Sequence, residues 1–185
     1  MKNSLLIVYF LTQITGVFAQ EYMGHKVINM PFPLAGGEIV SLPVTDAGTI
    51  PAENEKIKIE VAGYNVGPIP GQEKVPGLFW IFGFTSKLNQ KIESVIVQEV
   101  FSTDKAISVV DDEAPSMKGV TWSTHTGYAE VSASGIPWLY SNKPTFFVYK
   151  FSIKIDGEKV VLYQPVYFSN RAKQLFVDHA DKLRK

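Results

Sequence analysis

His125 lies between Thr124 and Thr126 and close to Ser123, with Asp111, Asp112 and Glu113 a short distance earlier in the chain. An imidazole, a hydroxyl and a carboxylate are the parts of a nucleophilic triad, in which the ring takes the hydroxyl proton and the acid orients the ring. The surrounding residues argue against that chemistry. No Gly-x-Ser-x-Gly elbow is present to strain and expose a serine. Ser134 is followed directly by Gly135, and Glu130 stands where a glycine should precede Ser132. A hydrolase centred on His125 is therefore the last of the functional readings, and the plain reading is a solvent-exposed loop histidine. No residue is assigned a catalytic role.

Metal and phosphate chemistry are weaker still. His25, His125 and His179 are far apart, with no His-Glu-x-x-His pair, and the chain contains no cysteine. Thiol catalysis and cysteine-ligated zinc are thereby excluded. The run Asp111-Asp112-Glu113 lacks the alternating acids and the glycine of a calcium loop. In Gly67-Pro68-Ile69-Pro70-Gly71 the prolines remove backbone N–H groups that a phosphate cradle needs. The expectation is no metal and no cofactor.

Aromatic residues carry the stronger signal. Gly135-Ile136-Pro137-Trp138-Leu139-Tyr140 places large apolar side chains inside a segment flanked by Ser132-Ala133-Ser134 and Ser141-Asn142-Lys143-Pro144. Trp and Tyr give large contact areas at small entropic cost and dominate binding hot spots. Ile136, Trp138, Leu139 and Tyr140, with Trp122, Tyr128 and His125 nearby, are the candidate partner-binding residues. The same rings, taken as Trp122, Tyr128, Trp138 and Tyr140, are also candidates for stacking on a sugar. The competing structural reading is that the segment folds back and caps the end of the fold.

The elements that must position these residues are mostly strands. Lys56 to Val61 alternates apolar and charged residues, the pattern of a half-buried strand. Gly77 to Thr85 is apolar on both faces and belongs in the middle of a sheet, with Trp80 in the core and Gly83 at a bulge or a close backbone approach. Ile92 to Phe101 and Ala106 to Val110 are further strands. Gly119 to Ser123 and Gly127 to Ala133 form a hairpin, and so do Thr145 to Ile155 and Lys159 to Phe168 around Asp156-Gly157. Asp-Gly suits a type I′ turn, which sets Ile153 against Val160 and Phe151 against Leu162. The same register opposes Lys154 and Lys159, so a longer bulged loop is an alternative. Pro165 cannot donate to a ladder and implies an edge strand or its end.

Pro43 to Pro51, Gly63 to Gly77, Asp111 to Gly119 and Ser134 to Pro144 read as loops. One helix is expected over about Asn170 to Arg184, with Ser169 as N-cap. Its apolar stripe is Ala172, Leu175, Phe176, His179, Ala180 and Leu183, and Asp178 can pair with Lys182. The fold class is mostly β: an antiparallel β-sandwich, single-domain over 20–185, with a C-terminal α-helix. A partly closed barrel is the alternative. The Phe146 to Phe168 hairpin resembles those of immunoglobulin-like domains, here without their disulfide. That likeness implies an architecture and no functional residues.

Met1 to Ala19 has the form of a secretory signal peptide, with Lys2 as basic head, Leu5 to Leu11 as apolar middle and Val17-Phe18-Ala19 as cleavage site. Cleavage leaves Gln20 first, and the apolar run is too short to span a bilayer. Loss of Lys2 leaves 17 basic against 18 acidic residues, since the whole chain has 18 of each. So small a charge gives no general attraction to nucleic acid or anionic lipid. No Asn-x-Ser/Thr sequon occurs, which favours a bacterial periplasmic or secreted protein. The resulting expectation is an exported, non-enzymatic binding module for a protein partner, of inhibitor or immunity type or an accessory envelope subunit, contacted through end loops. A carbohydrate-binding module is the alternative, and no nucleic-acid partner or transmembrane segment of the mature chain is expected.

Overall fold

The computed structural model describes residues 21–34, 36–46, 48–69, 72–102, 117–122, 126–133 and 145–183. Two hairpins open the described chain: β1 (Glu21–Tyr22) with β2 (His25–Lys26), and β3 (Ile28–Pro33) with β4 (Ile39–Val44). After them come β5 (Ala52–Glu53), β6 (Ile57–Ile69), β7 (Gln72–Ser86), β8 (Ile92–Ser102), β9 (Met117–Trp122) and β10 (Thr126–Ala133). The chain closes with β11 (Thr145–Ile155), β12 (Glu158–Phe168) and helix α1 (Asn170–Leu183).

Two antiparallel sheets face each other as a sandwich, and they do not close into a barrel. One runs β5-β6-β7-β10-β9 and the other β12-β11-β8. Their inner faces follow directly from period-two patterns. Ile57 and Ile59 of β6 and Trp80, Phe82 and Phe84 of β7 meet Phe147, Tyr149, Phe151, Ile153 and Ile155 of β11 in one buried cluster. Rings interdigitate edge to face: Phe82 lies 5.2 Å from Tyr149 and 5.0 Å from Phe151, and Trp80 lies 5.9 Å from Phe147. Such pairs add about 0.5–1.5 kcal/mol each beyond the area they bury.

A third layer covers part of the outer face of the smaller sheet. Alternate residues of the second hairpin, among them Met30, Phe32, Val40, Leu42 and Val44, pack on Val148, Phe101, Phe146 and Tyr163. The prolines Pro31, Pro33 and Pro43 fall on the hairpin's exposed face. Proline on an exposed strand removes donors that would otherwise recruit another strand. The proline content hides this hairpin from a reading of propensity alone.

The β11–β12 hairpin has the tight register: Ile153 opposes Val160, Phe151 opposes Leu162, and the turn is Asp156-Gly157. Asp156 and Gly157 have φ of 45° and 81°, as a type I′ turn demands. The opposed Lys154 and Lys159 are relieved from the side, because Lys154 Nζ lies 2.6 Å from Glu93 Oε2 on β8. Pro165 is on β12, an edge strand. β7 is central, between β6 and β10.

Several expectations are corrected. Within the span from Gly63 to Gly77, residues 63–69 and 72–77 are strand and not loop: they form the distal half of the β6–β7 ribbon, in register at Gly67–Gly77 and Pro68–Pro76, and residues 70 and 71 lie outside the described residues. The two prolines share one rung, which confines their missing N–H groups to that rung. Likewise Pro43 belongs to β4. No register shift occurs at Gly83, and the irregularity sits across from it in β6, between Val61 and Gly63. In α1 the buried face is Lys173 and Phe176, with Val177 partly buried, whereas Leu175 is exposed. The helix is therefore rotated relative to the expected stripe, and Asp178 accepts a hydrogen bond from Gln174 at 2.9 Å. Ser169 is the N-cap residue to the extent that its carbonyl accepts the first helical bond, from Lys173 N at 3.0 Å. The signal segment 1–19, the strand expected over 106–110 and the loops over 111–116 and 134–144 lie outside the described residues.

Candidate functional site

Of the sequence-designated residues, Ile136, Trp138, Leu139, Tyr140 and His125 lie outside the described residues. Trp122 ends β9 and Tyr128 is near the start of β10. They are not opposite each other, since Trp122 pairs with Gly127 and Tyr128 with Thr121. Trp80 is 2% exposed and is core, as its strand implies.

The described residues assemble a different site. A cleft of about 480 Å³ lies where β12, the β3–β4 hairpin and the segment leading into β5 meet. Its floor is Val161, Leu162 and Tyr163 on edge strand β12. One wall is Asn29, Leu42 and Pro43 of the hairpin with Val27 before it, the other is Ile50 to Glu53, and Glu21 and Tyr22 of β1 close the end. That size suits a side-chain cluster or a small ligand. The floor and walls are mainly apolar, while the rim is charged.

A single buried amide ties the second wall to the floor. Gln164 is 0% exposed. Its Oε1 accepts from Ala52 N at 2.7 Å, and its Nε2 donates to Ile50 O at 2.7 Å and to Pro165 O at 2.8 Å. Tyr167 N adds a bond to Thr49 Oγ1 at 3.1 Å. The side chain thus supplies the ladder that a short strand beside β12 would otherwise have provided, and it leaves none of its own polar atoms unsatisfied.

The rim carboxylate Glu53 and the charges on the neighbouring strand β6 are held in pairs. Glu53 is 2.7 Å from Lys87, whose hydrogen bond and charge hold the Glu53 carboxyl below its usual range. Lys58 lies 2.6 Å from Glu60; this hydrogen bond raises the ammonium pKa against the opposing effect of burial. Tyr163 in the floor titrates above its ordinary range, first because of burial and then because of the Glu38 charge. Its hydroxyl therefore stays protonated and able to donate. At the mouth of the fold His25 Nδ1 is 3.3 Å from Asp46, which links β2 to the end of the hairpin.

A second polar group lies inside the sandwich. Glu99 of β8 is partly buried, and its Oε2 accepts a long hydrogen bond, 3.3 Å, from the hydroxyl of fully buried Tyr149. Desolvation pushes the Glu99 pKa up to about 7, against the pull of that hydrogen bond. Tyr149 itself is raised well above its ordinary value by burial and by the neighbouring carboxylate. Neither Glu99 nor Gln164 belongs to a motif in the sequence. The available signal was phase: Glu99 continues the buried series Val95, Val97, and Gln164 precedes Val166 and Phe168 on the inner face.

Among the described residues no group of three or more His, Asp or Glu side chains is placed to hold a metal ion, and no helix is long and apolar enough to cross a membrane. No family model, no curated protein and no solved structure matches this chain.

Proposed function

We propose that this chain is an exported, non-enzymatic binding protein that engages a protein partner, in a bacterial periplasm or outside the cell. The observation that carries the reading is the cleft on β12, an apolar floor within a charged rim and with a hydrogen-bonded wall. That is the anatomy of a protein–protein contact, in which an apolar anchor is desolvated and a polar rim excludes water. A wall already tied down also reduces the ordering cost of binding. The partner's contribution is an exposed aliphatic or aromatic side chain seated over Val161. Ile136, Trp138, Leu139 and Tyr140, with Trp122, Tyr128 and His125, form the additional anchor region of this reading. An inhibitor or immunity-type role and an accessory envelope subunit are both compatible with it.

The test uses a photo-crosslinking residue placed either at Val161 or at Ser41 on the exposed face of the hairpin, in the cells that make the protein. One protein captured from position 161 and not from 41, with affinity lowered at least about tenfold by Val161→Glu, is the expected result. Equal capture from both positions, or affinity indifferent to Val161→Glu, refutes it. A carbohydrate ligand is the second reading, favoured by Tyr22, Tyr163, Asn29 and the carboxylates Glu21 and Glu53 around one cleft. Glycan binding lost in Tyr22→Ala, without protein capture, would select it.

A further inference from the structure

The three-stranded sheet contains one polar rung. Tyr149 at its centre pairs with Gln164 of β12 on one side and with Glu99 of β8 on the other. The register shifts next to it, between Val148 and Tyr149, so that Val100 is the extra residue on β8. From Val95 up to that bulge the register is unbroken, so Glu99 stays in phase with Val95 and Val97, facing the interior, and the bulge then puts Phe101 against Val148 on the opposite face. Among the described residues β8 lies at the edge of its sheet. A carboxyl group pointing inward from an edge is therefore held by one neighbouring strand and by one long hydrogen bond.

Nothing else in the described surroundings compensates a charge there. The buried cluster that includes Tyr149 draws Ile57 and Ile59 from β6 and Trp80, Phe82 and Phe84 from β7, with the Phe82 ring 5.2 Å from that of Tyr149. Trp80 Nε1 is buried without a hydrogen-bond partner. From β11 the facing titratable group is Tyr149, whereas Lys150 occupies the next rung, opposite Gln98. Glu130 of β10 and Lys118 of β9 stand opposite each other on the rung of Ile81.

We propose that Glu99 is a proton-operated latch for edge strand β8. With its proton, the carboxyl stays in the interior beside Tyr149 and β8 remains seated on β11 through the bulge. Without it, the carboxylate is driven to water, and β8 separates from β11 around Val97 to Phe101. The latch does not depend on the binding reading above.

The sign follows from linkage. The closed form holds the proton more tightly than an opened form in which Glu99 meets water, so opening becomes easier as pH rises through neutrality. With a closed-state value of about 7 and an ordinary value of 4.5, the opening equilibrium increases on the order of 10- to 100-fold between pH 5 and pH 8.

Hydrogen exchange followed by mass spectrometry on the intact protein tests this, with rates corrected for intrinsic exchange. Protection of peptides from β8 should fall by that factor across the range, while peptides from β12 serve as the internal reference. Glu99→Gln should remove the dependence. Tyr149→Phe should move its midpoint to higher pH, because the lost hydroxyl had favoured the carboxylate; a purely structural role for the pair moves no midpoint. Protection in β8 that ignores pH, or a dependence that survives Glu99→Gln, overturns the latch. If the variants do not fold, the carboxyl carbon shift of Glu99 in the unaltered protein decides. Titration near neutrality supports the proposal, and titration in the ordinary carboxylate range overturns it.

Discussion

Replacing Gln164 isolates the contribution of one side chain that joins the cleft wall to its floor. Gln164→Leu keeps the volume and deletes all three hydrogen bonds, leaving Ala52 N–H, Ile50 C=O and Pro165 C=O short of partners. An unsatisfied buried donor or acceptor costs about 1–3 kcal/mol. The contacts to Ala52 and Ile50 are only partly buried, so water will reach one or both, and the low end applies. A loss of about 2–3 kcal/mol follows. For a chain of this size that lowers Tm by about 4–12 °C. Gln164→Glu discriminates more finely. One carboxylate oxygen still accepts from Ala52 N, but the other faces the carbonyls of Ile50 and Pro165, which are acceptors as well. The buried carboxyl must therefore take up a proton to donate even one bond. The Glu variant should be less stable than the Leu variant near pH 8 and should recover on acidification, while the Leu variant's deficit stays level. Thermal melts by circular dichroism over pH 5–8 read both effects. A Glu variant as stable as the unaltered protein at pH 8 refutes the assigned donor role of Nε2.

The remaining predictions concern other links in the fold. Global stability should decline as pH rises from about 4.5 through 7, because folded Glu99 holds its proton across that window while the unfolded chain releases it. The upper bound is about 3 kcal/mol, from 2.5 units at 1.36 kcal/mol each, and urea titrations of Glu99→Gln should show a flatter profile. Phe32 is 0% exposed and meets Phe101 edge to face at 5.1 Å; Phe32→Ala should cost about 3–5 kcal/mol, read in chemical denaturation. Gly157→Ala should cost about 1–2 kcal/mol because φ is 81° there. Asp156→Asn should be nearly neutral in the same assay, because asparagine tolerates positive φ and keeps an oxygen for Lys91 N, now 2.9 Å from Asp156 Oδ1.

What was legible follows from what local pattern encodes. The register of the last hairpin was readable because Asp156-Gly157 dictates a turn geometry and the alternating Phe147, Tyr149, Phe151 and Ile153 then select one face. β7 was readable as a central strand because it is apolar on both faces. The β3–β4 hairpin was missed because its prolines suppress strand propensity. Met30 and Phe32 nevertheless keep period two, and the prolines fall on the side where a missing N–H does no harm. The strand residues 63–69 and 72–77 are hidden for the same reason. The helix face was misjudged because Lys173 is almost fully buried, and a long aliphatic stem can line an apolar surface as well as a leucine does. The cleft was not legible at all. Its walls come from four separated segments of ordinary composition, and only their juxtaposition makes a site.

Gln164 and Glu99 show how one sheet meets the same edge problem with two kinds of chemistry. Both residues are polar, both point into the sandwich, and both stand opposite Tyr149 on strands that lie at the sheet's edges among the described residues. On β12 the polar group is a neutral amide with three short partners, and its contribution to the fold does not titrate. On β8 it is a carboxyl with one long partner, and its contribution does. An inward charge on an edge strand discourages pairing with a foreign strand whenever it is ionised. The seam at β12 is therefore the permanent one, and it is the side on which the cleft is built. The seam at β8 is conditional, and a rise in pH loosens it without disturbing the wall that Gln164 holds.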